Sequence, residues 1–187
     1  MAIYAATLDA CVLVPVSLAD ILLRLAEKQL FRPVWSERIL DEVRRTLRIV
    51  HPDLDPAAIE RRIWHMTETF PGAVVGNHDH LEAGLELPDP ADRHVLAAAL
   101  RGHCHAIVTA NVRDFPNAYL ATMDIEAVTT DQFLLNQLDL APRQVLDSIR
   151  EMAAATRRPA RSTDELLEIL GRAGVAGFAD EVAQRLD

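Results

Sequence analysis

Four acidic residues of this chain, Asp9, Glu42, Asp92 and Asp114, are of the type and placement that could hold a cation. They are separated by 33, 50 and 22 residues, so only folding can bring them together. Asp9 lies in the run LDACVLVP. A charged residue inside a buried strand is costly unless it is paired or bound to metal, and the local alternative is an aspartate that caps a turn. Asp92 follows Asp89 by three residues in PDPADRHVLAAAL. Acids favour the first turn of a helix, and the same dipole helps keep them ionised. Asp114 follows an apolar run in IVTANVRDF, where the ordinary alternative is a turn aspartate. Asn111 shares that loop and could orient a ligand or hold the turn. Glu42 falls on the flank of a helix whose apolar face is Ile39, Leu40, Val43 and Leu47, while Asp41 points away. Carboxylates brought together repel one another, and oxygen ligands select hard cations such as Mg²⁺ or Mn²⁺.

The elements that must position these acids alternate in type. Residues 3–14 are rich in aliphatic residues, end at Pro15 and read as a buried strand. Ser17 is expected to cap a helix carrying Leu18, Ile21, Leu22 and Leu25, and Pro33 to break the chain. Ser36 caps the helix of Glu42, which ends at His51-Pro52. Asp55-Pro56 and Asp89-Pro90 each combine a cap with a proline at the first helical position. Residues 73–75, 106–109 and 125–129 are strand candidates, and Gly102 closes the helix before the second of them. Thr129 with Gln132, and Ser162 with Glu165, fit capping boxes. Beyond residue 140 only helix signals remain, with a basic breaker at 156–161 and a loose stretch at 171–177. Strands alternating with helices predict an α/β fold: a parallel central sheet in residues 1–138 and a helical C-terminal extension in 139–187.

Composition bounds the possibilities. The chain has 187 residues, half of them hydrophobic, which suits one domain with a real core and a small appendage. Cys11 and Cys104 are the only cysteines, so a disulfide framework has no support and a reducing cytoplasm is expected. The N-terminal run lacks a basic segment and carries Asp9, unlike a signal peptide, and no apolar run has the length of a membrane span. The net charge of −9 argues against gripping nucleic acid with a basic face. Residues 63–131 alone carry a net of −7, and solubility or a bound cation would each account for it.

In order along the chain, LDACVLVP, SERILDEVRRTL, LPDPADRHVLAAAL and IVTANVRDF resemble the motifs of PIN-domain ribonucleases. Within them the chain is similar to the VapC-like toxins of bacterial toxin–antitoxin pairs, in a longer branch with a helical C-terminal extension. The resemblance covers residues 1–138 by motif. It implies a Rossmann-like α/β/α sandwich with an acidic pocket for one or two Mg²⁺ or Mn²⁺ ions and hydrolysis of RNA phosphodiester bonds. Asp9, Asp92 and Asp114 then become the metal ligands, Glu42 binds a second metal or orients water, and Asn111 supports the last acid. It also implies a homodimer and a small VapB-like antitoxin that blocks the pocket, supplying an Arg to pair with the carboxylates. Cys11 departs from the pattern, standing where Asn, Ser or Thr is common, and leaves the small polar contact usual there open.

Rival readings have less support. A non-catalytic binding module would have no need to keep four carboxylates. A haloacid-dehalogenase-like phosphatase wants a second Asp where Cys11 stands and a later lysine, and Lys28 is the only lysine. His78-Asp79-His80 and His103-Cys104-His105 suggest zinc, but HxH histidines share a side only in an extended strand, so surface histidines flanking a strand are expected. His94 either contacts RNA or packs. The clusters Arg44, Arg45, Arg48 and Arg157, Arg158, Arg161 read as solvated faces or as phosphate contacts outside the pocket.

Overall fold

A computed structural model describes residues 4–155 and 161–186. Most of the basic breaker at 156–161, with Arg157 and Arg158, lies outside the described residues. The first strand, β1 (Ala5–Leu8), is buried along its whole length. It ends sooner than the aliphatic run suggests, because Asp9 caps a one-turn helix, α1 (Ala10–Leu13). Asp9 is therefore a cap at the carboxyl end of a strand and half-buried, not a charge inside one. Helix α2 (Val16–Glu27) starts directly after Pro15, so Ser17 lies within the helix and does not cap it.

Pro33 does not break the chain. It sits in β2 (Arg32–Ser36), a strand that the proline hid from sequence reading. Arg32 donates its N–H toward β1, to the carbonyl of Tyr4, so the N–H side of Pro33 faces the other way. On that side pairing begins only at Trp35, whose N–H reaches the carbonyl of Ala73 before the two-residue strand β3 (Val74–Val75). The missing proline donor thus faces a stretch with no partner strand.

Between β2 and β3 lie α3 (Glu37–Val50) and α4 (Pro56–Thr69), capped by Ser36 and Asp55 as their sequences require. After β3 come the short α5 (Asp79–Glu82), a 3₁₀ turn at Pro90–Asp92, and α6 (Arg93–Arg101). Gly102 ends α6 for a packing reason: a Cβ there would lie 2.8 Å from Val34 Cγ1 and 3.1 Å from the Ala98 carbonyl oxygen. Strand β4 (Ala106–Val108), a 3₁₀ turn (Val112–Asp114), α7 (Asn117–Leu120) and β5 (Glu126–Val128) complete the sheet. All five strands are parallel, in the order β3-β2-β1-β4-β5. Helices pack around the sheet.

The rest is helical: α8 (Thr130–Leu140), α9 (Pro142–Ala155), α10 (Thr163–Arg172) and α11 (Ala176–Leu186). The Ser162–Glu165 capping box is complete. At Thr129 only half of the expected box forms, since the Gln132 amide reaches Asn136 instead. Helices α10 and α11 leave only residues 173–175 between them, and Gly174 turns the chain there with φ +102°. The extension is tied on by Phe178, whose N–H donates to Asp131 on α8 at 2.8 Å, and by Lys28, the residue after α2, paired with Glu151 at 2.8 Å. One continuous hydrophobic core runs from Leu8 and Val108 in the sheet to Leu170 and Phe178 in the extension. Among the described residues no helix is long and apolar enough to cross a membrane.

Candidate active site

Strand order reverses direction between β1 and β4, and parallel sheets bind ligands at the carboxyl ends of the strands beside such a switch point. Asp9 leaves β1 at that point. Its Oδ1 accepts from Ala10 N at 2.6 Å, and its Oδ2 accepts from Thr109 Oγ1 at 2.7 Å and from the Cys11 thiol at 3.2 Å. Thr109 is fully buried at the end of β4, where its N–H bonds to Val128. Its hydroxyl also accepts from Asn111 N at 3.1 Å, so one side chain sets both Asp9 and the following loop. Sequence reading missed Thr109, although IVTAN places a hydroxyl at the end of a strand beside the acid-bearing loop.

Cys11 supplies the polar contact that its residue type left open. Its sulfur accepts from Ala110 N at 3.3 Å while the thiol donates to Asp9. Burial, then the charge of Asp9, pushes its pKa up to about 11, so the group remains a thiol and a donor near neutrality.

Glu42 leans into the cleft from α3. Its Oε1 lies 3.0 Å from Nε2 of His94, a buried residue on α6 two residues beyond Asp92. His94 therefore packs, and it links the helix of Glu42 to the helix of Asp92. A cleft of about 500 Å³ is lined by Asp9, Cys11, Glu42, Arg45, Asp92 and Asn111, among others. Asp114 is not among its lining residues. It is held by the Asn111 side-chain amide, and its charge is felt at Asp92.

Asp92 shows what the arrangement costs electrostatically. Its pKa rises to about 6, first through burial and then through the charges of Asp9, Asp89 and Asp114, with His94 opposing. Asp9, Glu42 and Asp92 share the cleft without converging, and no three of the four acids bring oxygens within 4.8 Å of one another. An all-oxygen donor set whose members repel one another fits a hard divalent cation, which would relieve the repulsion. Asp9, Asp92 and Asp114, with Glu42 opposite, are the residues that would hold it.

The clustered arginines of α3, Arg44, Arg45 and Arg48, separate. Arg44 is bound by Glu37 and Asp41 at 2.8 Å and by Glu60 at 3.1 Å, and Arg48 joins Glu60 at 3.3 Å, which clamps α3 to α4. Arg45 alone lines the acidic cleft. Arg161 lines a neighbouring depression with Val16, Ser17 and Asp20. A further arginine braces the site from behind: Arg62 of α4 donates to the carbonyls of Leu13 and Val14, the last groups of the helix that Asp9 begins. The expectation of surface histidines holds for His80, His103 and His105 but fails for His78, which is buried.

Comparison with known proteins shows the family. The PIN domain family matches residues 5–113, more than half of the chain. A second family, described as the VapC50 C-terminal domain, matches residues 130–184. Over 80 residues the chain is 42% identical to a protein of Mycobacterium tuberculosis named "Putative ribonuclease VapC50", covering 43% of this chain and 47% of that protein. The chain is thus aligned with about half the length of that curated relative. No solved structure matches the chain. The family match spans β1 to β4 and more than half of the chain, and the chain belongs to the PIN-domain family.

Proposed function

We propose that this protein is a divalent-metal-dependent endoribonuclease that hydrolyses RNA phosphodiester bonds and acts as the toxin of a toxin–antitoxin pair. The observation that carries the reading is the cleft at the β1/β4 switch point, which Asp9 and Asp92 both line and where burial, then neighbouring charge, raises the Asp92 pKa. Mg²⁺ or Mn²⁺ bound there would acidify the attacking water and stabilise charge on the phosphoryl oxygens. The chain's own residues supply the rest. Thr109 and Cys11 orient Asp9, His94 orients Glu42, Asn111 orients Asp114, and Arg45 offers a cation to a phosphate on the cleft wall. The name of the Mycobacterium tuberculosis relative, and the match of the tail to the VapC50 C-terminal domain, support the toxin role. In this reading residues 1–138 form the nuclease unit, residues 139–187 extend it, the protein works in the cytoplasm as a homodimer, and a small VapB-like antitoxin lays an arginine against the carboxylates.

The test is cleavage of RNA by the purified chain. Activity is expected with Mn²⁺ and is expected to vanish when the ion is chelated; cleavage that survives chelation overturns the reading. The pH dependence follows from Asp92. Its folded pKa is raised, so without metal its contribution to stability is present below its ordinary carboxylate value and is lost as pH rises through about 6. A bound cation reverses this by favouring the ionised form. Mn²⁺ affinity should therefore fall about tenfold per pH unit below about 6. The rise in Tm on adding Mn²⁺ should be larger at about pH 7.5 than at about pH 5. A pH-independent rise would contradict the assignment of Asp92.

His94 gives a finer test, because it acts through Glu42. His94→Leu should lower Mn²⁺ affinity about tenfold, as loss of a ligand-orienting partner does. His94→Gln, which keeps a donor, should restore most of it. Equal loss in both variants would mean that His94 serves packing alone.

A further inference from the structure

We propose that His78, Asp79 and Glu82 form a second metal site, for a transition ion of the Zn²⁺ class, at the edge of the sheet beyond β3. Two independent observations meet there. The first is convergence: one ligand atom from each of the three residues lies within 4.8 Å of the others. Among the described residues this is the one such grouping of His, Cys, Asp and Glu, and it does not involve the acids of the cleft. The second is an unsatisfied base. His78 is only 5% exposed, and neither of its ring nitrogens has a hydrogen-bond partner. Its nearest charged neighbour is Asp79, with Nε2 3.9 Å from Oδ1, too far for a hydrogen bond. Burying an imidazole with both nitrogens idle is costly, and buried polar groups in folded proteins are normally paired. A metal ion would satisfy one nitrogen directly.

The local backbone explains the convergence. After β3 the chain turns through Gly76 and Asn77, the latter at φ +56°, and His78 stands at the N-cap position of α5 without a side-chain capping bond. His78 and Glu82 stand four residues apart, on one side of that short helix, with Asp79 beside them. An imidazole with two carboxylates leaves a fourth position for water, a ligand set that suits four-coordinate Zn²⁺. Tetrahedral ligands lie about 3.4 Å apart at ordinary Zn–N and Zn–O lengths, so the cluster must close by side-chain rotation. Asp79 is exposed and free to move; Glu82 is half-buried and now paired with Arg38 at 3.2 Å, a contact that would loosen or shift to its other oxygen. The site lies beyond the end of β3, the edge strand, which is separated from β1 by β2 in the sheet order. An ion there would pin the β3–α5 turn.

The test uses the tag-free full chain, stripped of metal and titrated with Zn²⁺ against a chromogenic chelator, with Co²⁺ absorption as a probe of coordination. One equivalent of Zn²⁺ is expected to bind and to persist in the Asp9→Asn, Asp92→Asn double variant, which disables the cleft. His78→Asn and Glu82→Gln are each expected to weaken it at least tenfold. Glu82→Gln, at a half-buried position, reports on the site even if His78→Asn fails to fold, which circular dichroism would reveal. Binding that is indifferent to Glu82→Gln, that disappears with the cleft variant, or that depends on His80 and His103 instead would overturn the proposal. RNA cleavage in Mn²⁺ is read separately, so failure of this site and failure of the nuclease reading remain distinguishable.

Discussion

Asp9→Asn is expected to reduce RNA cleavage by about 10²–10³-fold while leaving the fold intact. The substitution is nearly isosteric, and the contacts around Asp9 tolerate it. Oδ1 can still accept from Ala10 N, so the cap of α1 survives. The Thr109 hydroxyl, now a donor to Oδ2 at 2.7 Å, can rotate and accept from the new amide. What disappears is a unit of negative charge beside Asp92. Asp9 is one of the charges that hold the Asp92 pKa near 6, so the variant should move that pKa down toward the ordinary carboxylate range. Cleavage should thus be lost without loss of thermal stability, together with most of the Mn²⁺ affinity. Full activity in Asp9→Asn would remove Asp9 from the site. A collapse in Tm would instead show that Asp9 is chiefly a structural cap.

Phe178→Ala should cost about 3–5 kcal/mol of stability, as truncation of a fully buried aromatic does, and lower Tm by about 10 °C. Phe178 is fully buried, and its N–H is fixed by Asp131 on α8. A Cβ on the neighbouring Gly177 would lie 2.6 Å from Asp131 Oδ2 and force that side chain to shift. Backbone and side chain therefore meet α8 at close quarters. Because the core runs without a break from sheet to extension, the whole chain is expected to melt in one transition, in the variant as in the wild type. Leu140→Ala, at a residue 80% exposed, should change stability by less than about 0.5 kcal/mol and serves as the control. Two resolved transitions in calorimetry would show that α9–α11 fold independently of the sheet.

Much of the local structure was legible in residue types. Caps at Ser36, Asp55 and Ser162 are chemical statements about unpaired helical N–H groups, and each holds in the structure. The strands at β3, β4 and β5 were visible as short apolar runs between turn signals. Strand β2 was hidden because a proline within a run normally excludes a strand. Only the late start of β3 shows why Pro33 is harmless there. The aliphatic run at the N-terminus hid the end of β1 for the opposite reason, since Ala10, Val12 and Leu13 are buried whether extended or helical. Apolar content reports burial, not backbone conformation.

The candidate acids were legible in the sequence alone, because a carboxylate at a strand end or a helix start (Asp9, Asp92, Asp114), or on the flank of an apolar helix face (Glu42), is a local feature. Which of them meet was decided by the tertiary structure. Thr109 reaches Asp9 across 100 residues of chain, and His94 reaches Glu42 across 52. Arg45 was separated from Arg44 and Arg48 only when α4 brought up Glu60. The buried, partnerless His78 looked like any surface histidine until the β3–α5 turn enclosed it. Local propensity acts over a turn or two of chain, whereas hydrogen bonding, desolvation and charge repulsion depend on distance in space, which only the packed sheet and its helices set.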